Sequence, residues 1–128
     1  MKSILLTTIA AVLLVGCATR QPPKPPTVKA PDISIHYAAD RGNIEAVKQH
    51  IAAGTDVNAK SDGRTPLHWA AYSSHKEIAE LLIGEGAEVN TIDKYTGNTA
   101  LDSAILLKHT EIADLLRKCG GKTWKELN

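Results

Sequence analysis

The chain has 128 residues, 15 basic against 14 acidic side chains, 43% hydrophobic content and 4% aromatic content. A balance this close to neutral, with no Lys/Arg-rich run, lacks the basic footprint that nucleic-acid binding requires. The length leaves room for one small domain once the flanking segments are set aside.

The chain opens MKSILLTTIAAVLLVGCATR. Lys2 supplies a short positive region, Ile4 to Val15 an apolar run, and Leu14-Val15-Gly16 brings small residues up to Cys17. That order of parts predicts an export signal over residues 1–16. The apolar run is shorter than the roughly 20 residues needed to span a bilayer. Leu14-Val15-Gly16-Cys17 resembles the bacterial lipobox, which implies lipidation of Cys17 and cleavage before it. Acylation there would anchor the chain by lipid alone. Ala18, in place of an aspartate, points to the outer membrane, facing the periplasm. Loss of residues 1–16 removes Lys2 and leaves 14 basic and 14 acidic groups. With Cys17 acylated, Cys119 is left as a lone thiol with no disulfide open to it, and it reads as a small apolar residue near a helix end.

Residues 21–31, QPPKPPTVKAP, hold five of the six prolines. Such a stretch buries little and tends toward polyproline II, so residues 17–31 are expected to be a tether about 45 Å long. The PxxP spacing inside it is the kind an SH3-like partner could dock, against the plainer reading of a spacer.

From Asp32 onward the chain repeats itself. Aligning Leu67 on Leu101 brings Gly63 onto Gly97, Thr65 onto Thr99, Ala70 onto Ala104 and His75 onto His109. Glu77-Ile78-Ala79 then meets Glu111-Ile112-Ala113, and Gly86 meets Gly120. Shifted back, the template matches Ile35-His36 to Leu67-His68, Ala38-Ala39 to Ala70-Ala71, and Asp56-Val57-Asn58 to Glu88-Val89-Asn90. The units fall at about 32–60, 61–93 and 94–123, followed by a tail at 124–128. In each, a short alanine-lined helix is predicted first, with Pro66 in its opening turn and Thr65 as its cap. A second helix is predicted after Gly42-Asn43, Ser74-His75 or Lys108-His109, carrying Ile78, Leu81 and Leu82 or Ile112, Leu115 and Leu116 at helical spacing. Gly54, Gly86 and Gly120 sit just past its end, where a left-handed residue is wanted. Asn58 and Asn90 open the turn into the next unit.

Thr65-Pro66-Leu67-His68-Trp69-Ala70-Ala71 resembles the ankyrin signature TPLHxAA, and Gly86-Ala87-Glu88-Val89-Asn90 its GADVN exit. The third unit has Thr99-Ala100-Leu101-Asp102, and the first lacks the Gly-x-Thr-Pro entry, as an N-terminal cap can. The resemblance, from Asp32 to about Thr123, implies an all-α solenoid of three helix-turn-helix units joined by hairpin-like loops. One unit cannot bury its apolar face, and about three are needed for stability. Arg117 and Lys118 suit a polar C-terminal cap. The tail does not read as the start of another repeat; Trp124 and Leu127 either fold over the open end or serve as a partner-binding tag.

Repetition decides how the histidines are read. The resemblance implies that His68 and His36 bond backbone between units, while His75 and His109 recur at the start of second helices, where polar partners are needed. His50 is expected to face solvent. Spread along a stack, these residues do not converge as metal ligands must, and no Gly-x-Ser-x-Gly, phosphate-loop or HExxH pattern is present. Neither catalysis, nor a metal, nor a cofactor is expected.

Binding in ankyrin-like stacks uses hairpin tips and exposed first-helix positions on a concave face. Transferred onto this chain, the tips are Ser61, Asp62 and Arg64, then Lys94, Tyr95, Thr96 and Asn98. The helix positions are Asp40 and Arg41, Tyr72 and Ser73, Leu106 and Leu107. Tyr72 beside Leu106, rimmed by Arg41, Arg64 and Lys94, has the makings of an interface core; alternatively the leucines turn under the tail. Tyr37 and Trp69 share a register that reads as inter-repeat packing. The second tip is longer, with seven steps from Asn90 to Gly97 against five from Asn58 to Gly63, and its Tyr95 is the first choice for specificity. The expected protein is a monomeric lipoprotein that binds an unidentified protein partner in the bacterial envelope. Inhibitor or immunity protein, protector and scaffold all remain open, as do self-association and, more remotely, a metal-binding or enzymatic role.

Overall fold

Each first helix of a unit starts on a hydroxyl side chain that caps it. Ser34, Thr65 and Thr99 accept from the backbone N–H three residues on, opening α1 (Ile35–Arg41), α3 (Pro66–Tyr72) and α5 (Ala100–Leu106). Each such cap is worth about 1 kcal/mol. At Thr65 and Thr99 the third helical residue, His68 or Asp102, reaches back to the cap backbone and closes a capping box. Longer second helices follow: α2 (Ile44–Ala52), α4 (Lys76–Gly84) and α6 (Thr110–Lys118). A last turn, α7 (Trp124–Leu127), ends the chain. These elements come from a computed structural model that describes residues 29–128. The signal, Cys17 and most of the proline-rich segment lie outside the described residues.

The helices stack as two rows, α1 against α3 against α5, and α2 against α4 against α6, each first helix packing on its own second helix. Ala38, Ala39, Ala70, Ala71 and Ala104 are fully buried, which is how the first helices come close. Leu67, Ile78, Leu82, Leu101, Ile112 and Leu116 fill the space behind them. The predicted second-helix starts are met, and Gly54, Gly86 and Gly120 do take left-handed φ of 82°, 97° and 84°. The fold is all-α, and among the described residues the only β-type pairing is an isolated bridge from Ser61 to Arg64. Between them Asp62 and Gly63 both have positive φ, 51° and 77°, the Asp-Gly pattern of a type I′ hairpin turn. Gly63 is also needed for space, because a Cβ there would lie 2.7 Å from Cβ of Lys94 in the next hairpin.

Polar side chains lock one unit to the next. Asn58 donates to the Gly86 carbonyl at 3.1 Å and accepts from Glu88 N–H at 2.8 Å. Asn90 repeats this with Gly120 at 3.1 Å and Lys122 at 2.7 Å. His75 and His109 do not cap their own helices. Each bonds through Nε2, at 3.0 Å, to a carbonyl ending the first helix of the preceding unit, Asp40 and Tyr72 respectively. His36 Nε2 reaches the Ala59 carbonyl at 2.7 Å.

Several expectations are corrected. His50 does not face solvent; it is 6% exposed and bridges the Ile33 carbonyl at 2.7 Å and the Thr55 hydroxyl at 3.0 Å, tying the segment before α1 to the end of α2. His50 shares the inner face of α2 with Ala46 and Val47, in the register that Leu82 and Leu116 hold in the next two units, and the segment before α1 supplies its backbone partner. Tyr37 does not pack between repeats; it is half exposed, with the Arg41 guanidinium 5.2 Å from its ring centroid. Cys119 packs half-buried against the core at the end of α6, yet it is not a free thiol. The reading that left it alone rested on Cys17, which lies outside the described residues. The tail does imitate a repeat entry. Thr123 and Glu126 form the same capping box as Thr65 and Thr99, but the turn follows Gly120 directly, with the hairpin deleted. It is pinned to α5, where the Thr99 hydroxyl donates to the Lys122 carbonyl at 2.7 Å and Trp124 N–H to Asp102 at 2.7 Å. Trp124 and Leu127 remain partly exposed and do not join the core.

Ile105 occupies the slot of Ala39 and Ala71, which the next first helix buries completely; α7 does not cover it, and Ile105 is 46% exposed.

Candidate protein-binding groove

Position determines which side chains face outward on α3 and α5. Ala70 and Ala71 turn inward, so Trp69 and Tyr72, three residues apart, share an outer face. Their rings meet edge-on with centroids 6.3 Å apart. In the next unit Ser103 takes the register of Trp69, and the exchange of a large ring for a small side chain opens a gap. Leu106 and Leu107 border it from α5. The hairpins close the other end through Arg64, Thr96 and Asn98.

The resulting groove has a volume of ≈ 120 Å³. A cavity of about 150 Å³ holds a benzene ring, whereas drug-sized ligands take about 300–1,000 Å³. The groove therefore suits one side chain of a larger partner better than a metabolite. Tyr72 is 52% exposed and Leu106 73%, so the apolar borders are open to solvent. The alternative of leucines folded beneath the tail is thereby set aside.

Asp93 organises the hairpin end. It is 3% exposed, and Arg64 Nε donates to it at 2.7 Å. Tyr95 N–H and the Thr96 hydroxyl donate to it as well, each at 2.8 Å. Burial opposes its ionisation, but these donors outweigh burial and hold its carboxyl down at about 2. One carboxylate thus folds the second tip and fixes Arg64 of the first, whose guanidinium lies 5.0 Å from the Trp69 ring centroid. Sequence reasoning missed Asp93; the signal was a D-x-x-T stretch of the kind that folds its own turn.

His68 sits beneath, 4% exposed. Its Nδ1 lies 3.1 Å from Thr65 N–H and 2.9 Å from the Thr65 hydroxyl. Nε2 is on the side of the Thr91 and Asn98 carbonyls without completing a hydrogen bond to either. Burial pulls its pKa below the usual histidine value, against the opposing pull of Asp93 and those two carbonyls. Trp69 Nε1 is a second buried donor with no partner among the described residues.

Of the residues expected to bind, Arg64, Tyr72, Thr96, Asn98, Leu106 and Leu107 come together around the groove. Asp40, Arg41, Ser61, Asp62, Ser73, Lys94 and Tyr95 stand outside it. Ser73 donates to the Asp40 carboxylate, occupying both. Arg41 lies on Tyr37. Lys94 and Tyr95 project from the second tip, Tyr95 at 69% exposure. Trp69, which read as packing, forms a wall of the groove. Among the described residues no three His, Cys, Asp or Glu side chains gather as a metal site, and no helix is long and apolar enough to cross a membrane.

Helix pairs stacked in register, linked by hairpins and an asparagine ladder, define a repeat protein whose exposed surface serves recognition. The family described as "Ankyrin repeats (3 copies)" matches residues 35–126, and the chain belongs to it. Ankyrin repeats are protein–protein interaction modules, generally without catalysis of their own. Similar proteins include serine/threonine-protein kinase 12 of Arabidopsis thaliana, 36% identical over 91 residues, 70% of this chain and 20% of that protein. The NF-kappa-B inhibitor cactus of Drosophila melanogaster is 32% identical over 92 residues, 70% of this chain and 18% of that protein. Protein phosphatase 1 regulatory subunit 12A of Mus musculus is 40% identical over 77 residues, 59% and 7% respectively. The chain thus spans a fifth or less of the length of these relatives.

Proposed function

We propose that this protein is an envelope lipoprotein, exported by residues 1–16, lipidated on Cys17 and held off the outer membrane by residues 17–31. From there, as a monomer in the periplasm, it binds another protein through the groove between α3 and α5. The observation that carries the reading is the open apolar border of that groove, Tyr72 and Leu106, on rigid neighbouring helices. An exposed apolar pair flanked by polar groups is the anatomy of an interface centre. The names of two relatives, an inhibitor of NF-kappa-B and a regulatory subunit of protein phosphatase 1, describe proteins that act on other proteins, which supports the same class of role. Binding here is by complementarity of shape and charge, with no turnover. Inhibition, protection and scaffolding are different uses of the same contact.

The test is crosslinked affinity purification from bacterial envelopes, comparing the intact protein with a Tyr72→Ala, Leu106→Asp double variant. A protein recovered by the first and lost from the second is expected. Equal recovery of every co-purifying protein by both removes the groove as the binding site. Recovery of the intact protein in the soluble fraction, unchanged by Cys17→Ser, would remove the anchor.

A further inference from the structure

Charge is not evenly spread over the two rows of helices. The hairpin tips and first helices carry Arg41, Lys60, Arg64, Lys94 and Lys108 against Asp40, Asp62, Asp93 and Asp102, five cations to four carboxylates. Asp93 is buried under Arg64, and Asp40 is engaged by Ser73. The second helices and the cap of α4 run the other way. There Glu45, Glu77, Glu80, Glu85, Glu111 and Asp114 face Lys48, Lys76, Arg117 and Lys118, six carboxylates to four cations. Among the described residues Arg64, which lines the groove, is the only one of these five cations in an ion pair. Lys94 follows the groove-lining Asp93 in the second hairpin and Lys108 follows the groove-lining Leu107 past the last turn of α5; both are exposed. Between them the groove adds an apolar slot for one side chain.

We infer that the groove receives an acidic, extended segment of the partner protein, with one aliphatic or aromatic side chain seated between Tyr72 and Leu106 and flanking carboxylates meeting Lys94 at one end and Lys108 at the other. The inference rests on the reading of this chain as a protein-binding module and specifies the chemistry of what it binds. Complementary charge of this kind steers encounter and selects among partners more than it adds raw affinity. The apolar anchor supplies the affinity.

The experiment selects a random peptide library, displayed on phage, against the full-length chain, and then measures the enriched peptides by fluorescence anisotropy. Enriched sequences should place Asp or Glu on both sides of Leu, Phe or Trp. Their affinity should fall about tenfold with Lys94→Glu and by a similar factor from low to high salt. Leu106→Asp should weaken them about thirtyfold or more. Both positions are exposed, and circular dichroism on each variant confirms that the fold is retained. Enrichment of basic or uncharged apolar sequences that still respond to Leu106→Asp overturns the acidic partner and leaves the groove as a protein-binding site. Peptides that ignore Leu106→Asp, or no enrichment at all, overturn the groove itself. Concentration-dependent dimerisation abolished by Leu106→Asp would make a second copy of this chain the occupant and also overturn the inference.

Discussion

Replacing Asp93 with asparagine keeps the shape of the side chain and removes the charge that three donors hold. The folded carboxyl titrates at about 2 against a reference of 3.8. The difference is worth about 2 kcal/mol at neutral pH, at roughly 1.4 kcal/mol per pKa unit. Because the folded value is the lower one, the unfolded chain binds more protons between 2 and 3.8. The contribution is therefore complete above 3.8 and disappears as the pH falls through 2. Urea unfolding of the wild-type chain and Asp93→Asn, followed by far-ultraviolet circular dichroism, should differ by about 2 kcal/mol at pH 7 and by about half that at pH 3. Arg64, released from its partner, should also move off Trp69 and change the tryptophan emission. A stability difference that is the same at pH 7 and pH 3 would refute the assignment of this stabilisation to the ionised carboxylate.

Two further outcomes follow from the backbone and from His68. Ser74 and Lys108 hold φ of 63° and 62° at the position where the first unit has Gly42 at 77°, so Ser74→Gly should stabilise the domain by about 0.5–1 kcal/mol, because glycine takes that conformation without the Cβ penalty; thermal unfolding showing a loss of stability would contradict this. His68 is neutral in the fold, with its pKa lowered by burial, so its share of stability is present above about 6.5 and is lost as the pH falls below it. Wild-type stability should therefore drop more steeply between pH 7 and pH 5 than that of His68→Gln, and parallel profiles would remove His68 as the cause.

The repeat architecture is written in local chemistry. A threonine before Pro66 starts a helix, glycines past α2, α4 and α6 stop them, and alanines at fixed spacing allow close stacking; each acts over a few residues, so each is visible in the chain. The same holds for Tyr72, Leu106 and Leu107, which stood out because an apolar residue filled an outward slot. The groove was a different matter. It exists because Ser103 of one unit lies opposite Trp69 of another, and because Asp93 reaches across to Arg64, contacts made between units and not within one. The buried side of His50 was legible in its spacing from Ala46 and Val47, but its partners, Ile33 and Thr55, arrive from outside its helix and were not. Periodicity reports which side of a helix a residue occupies, but only packing determines what covers that side.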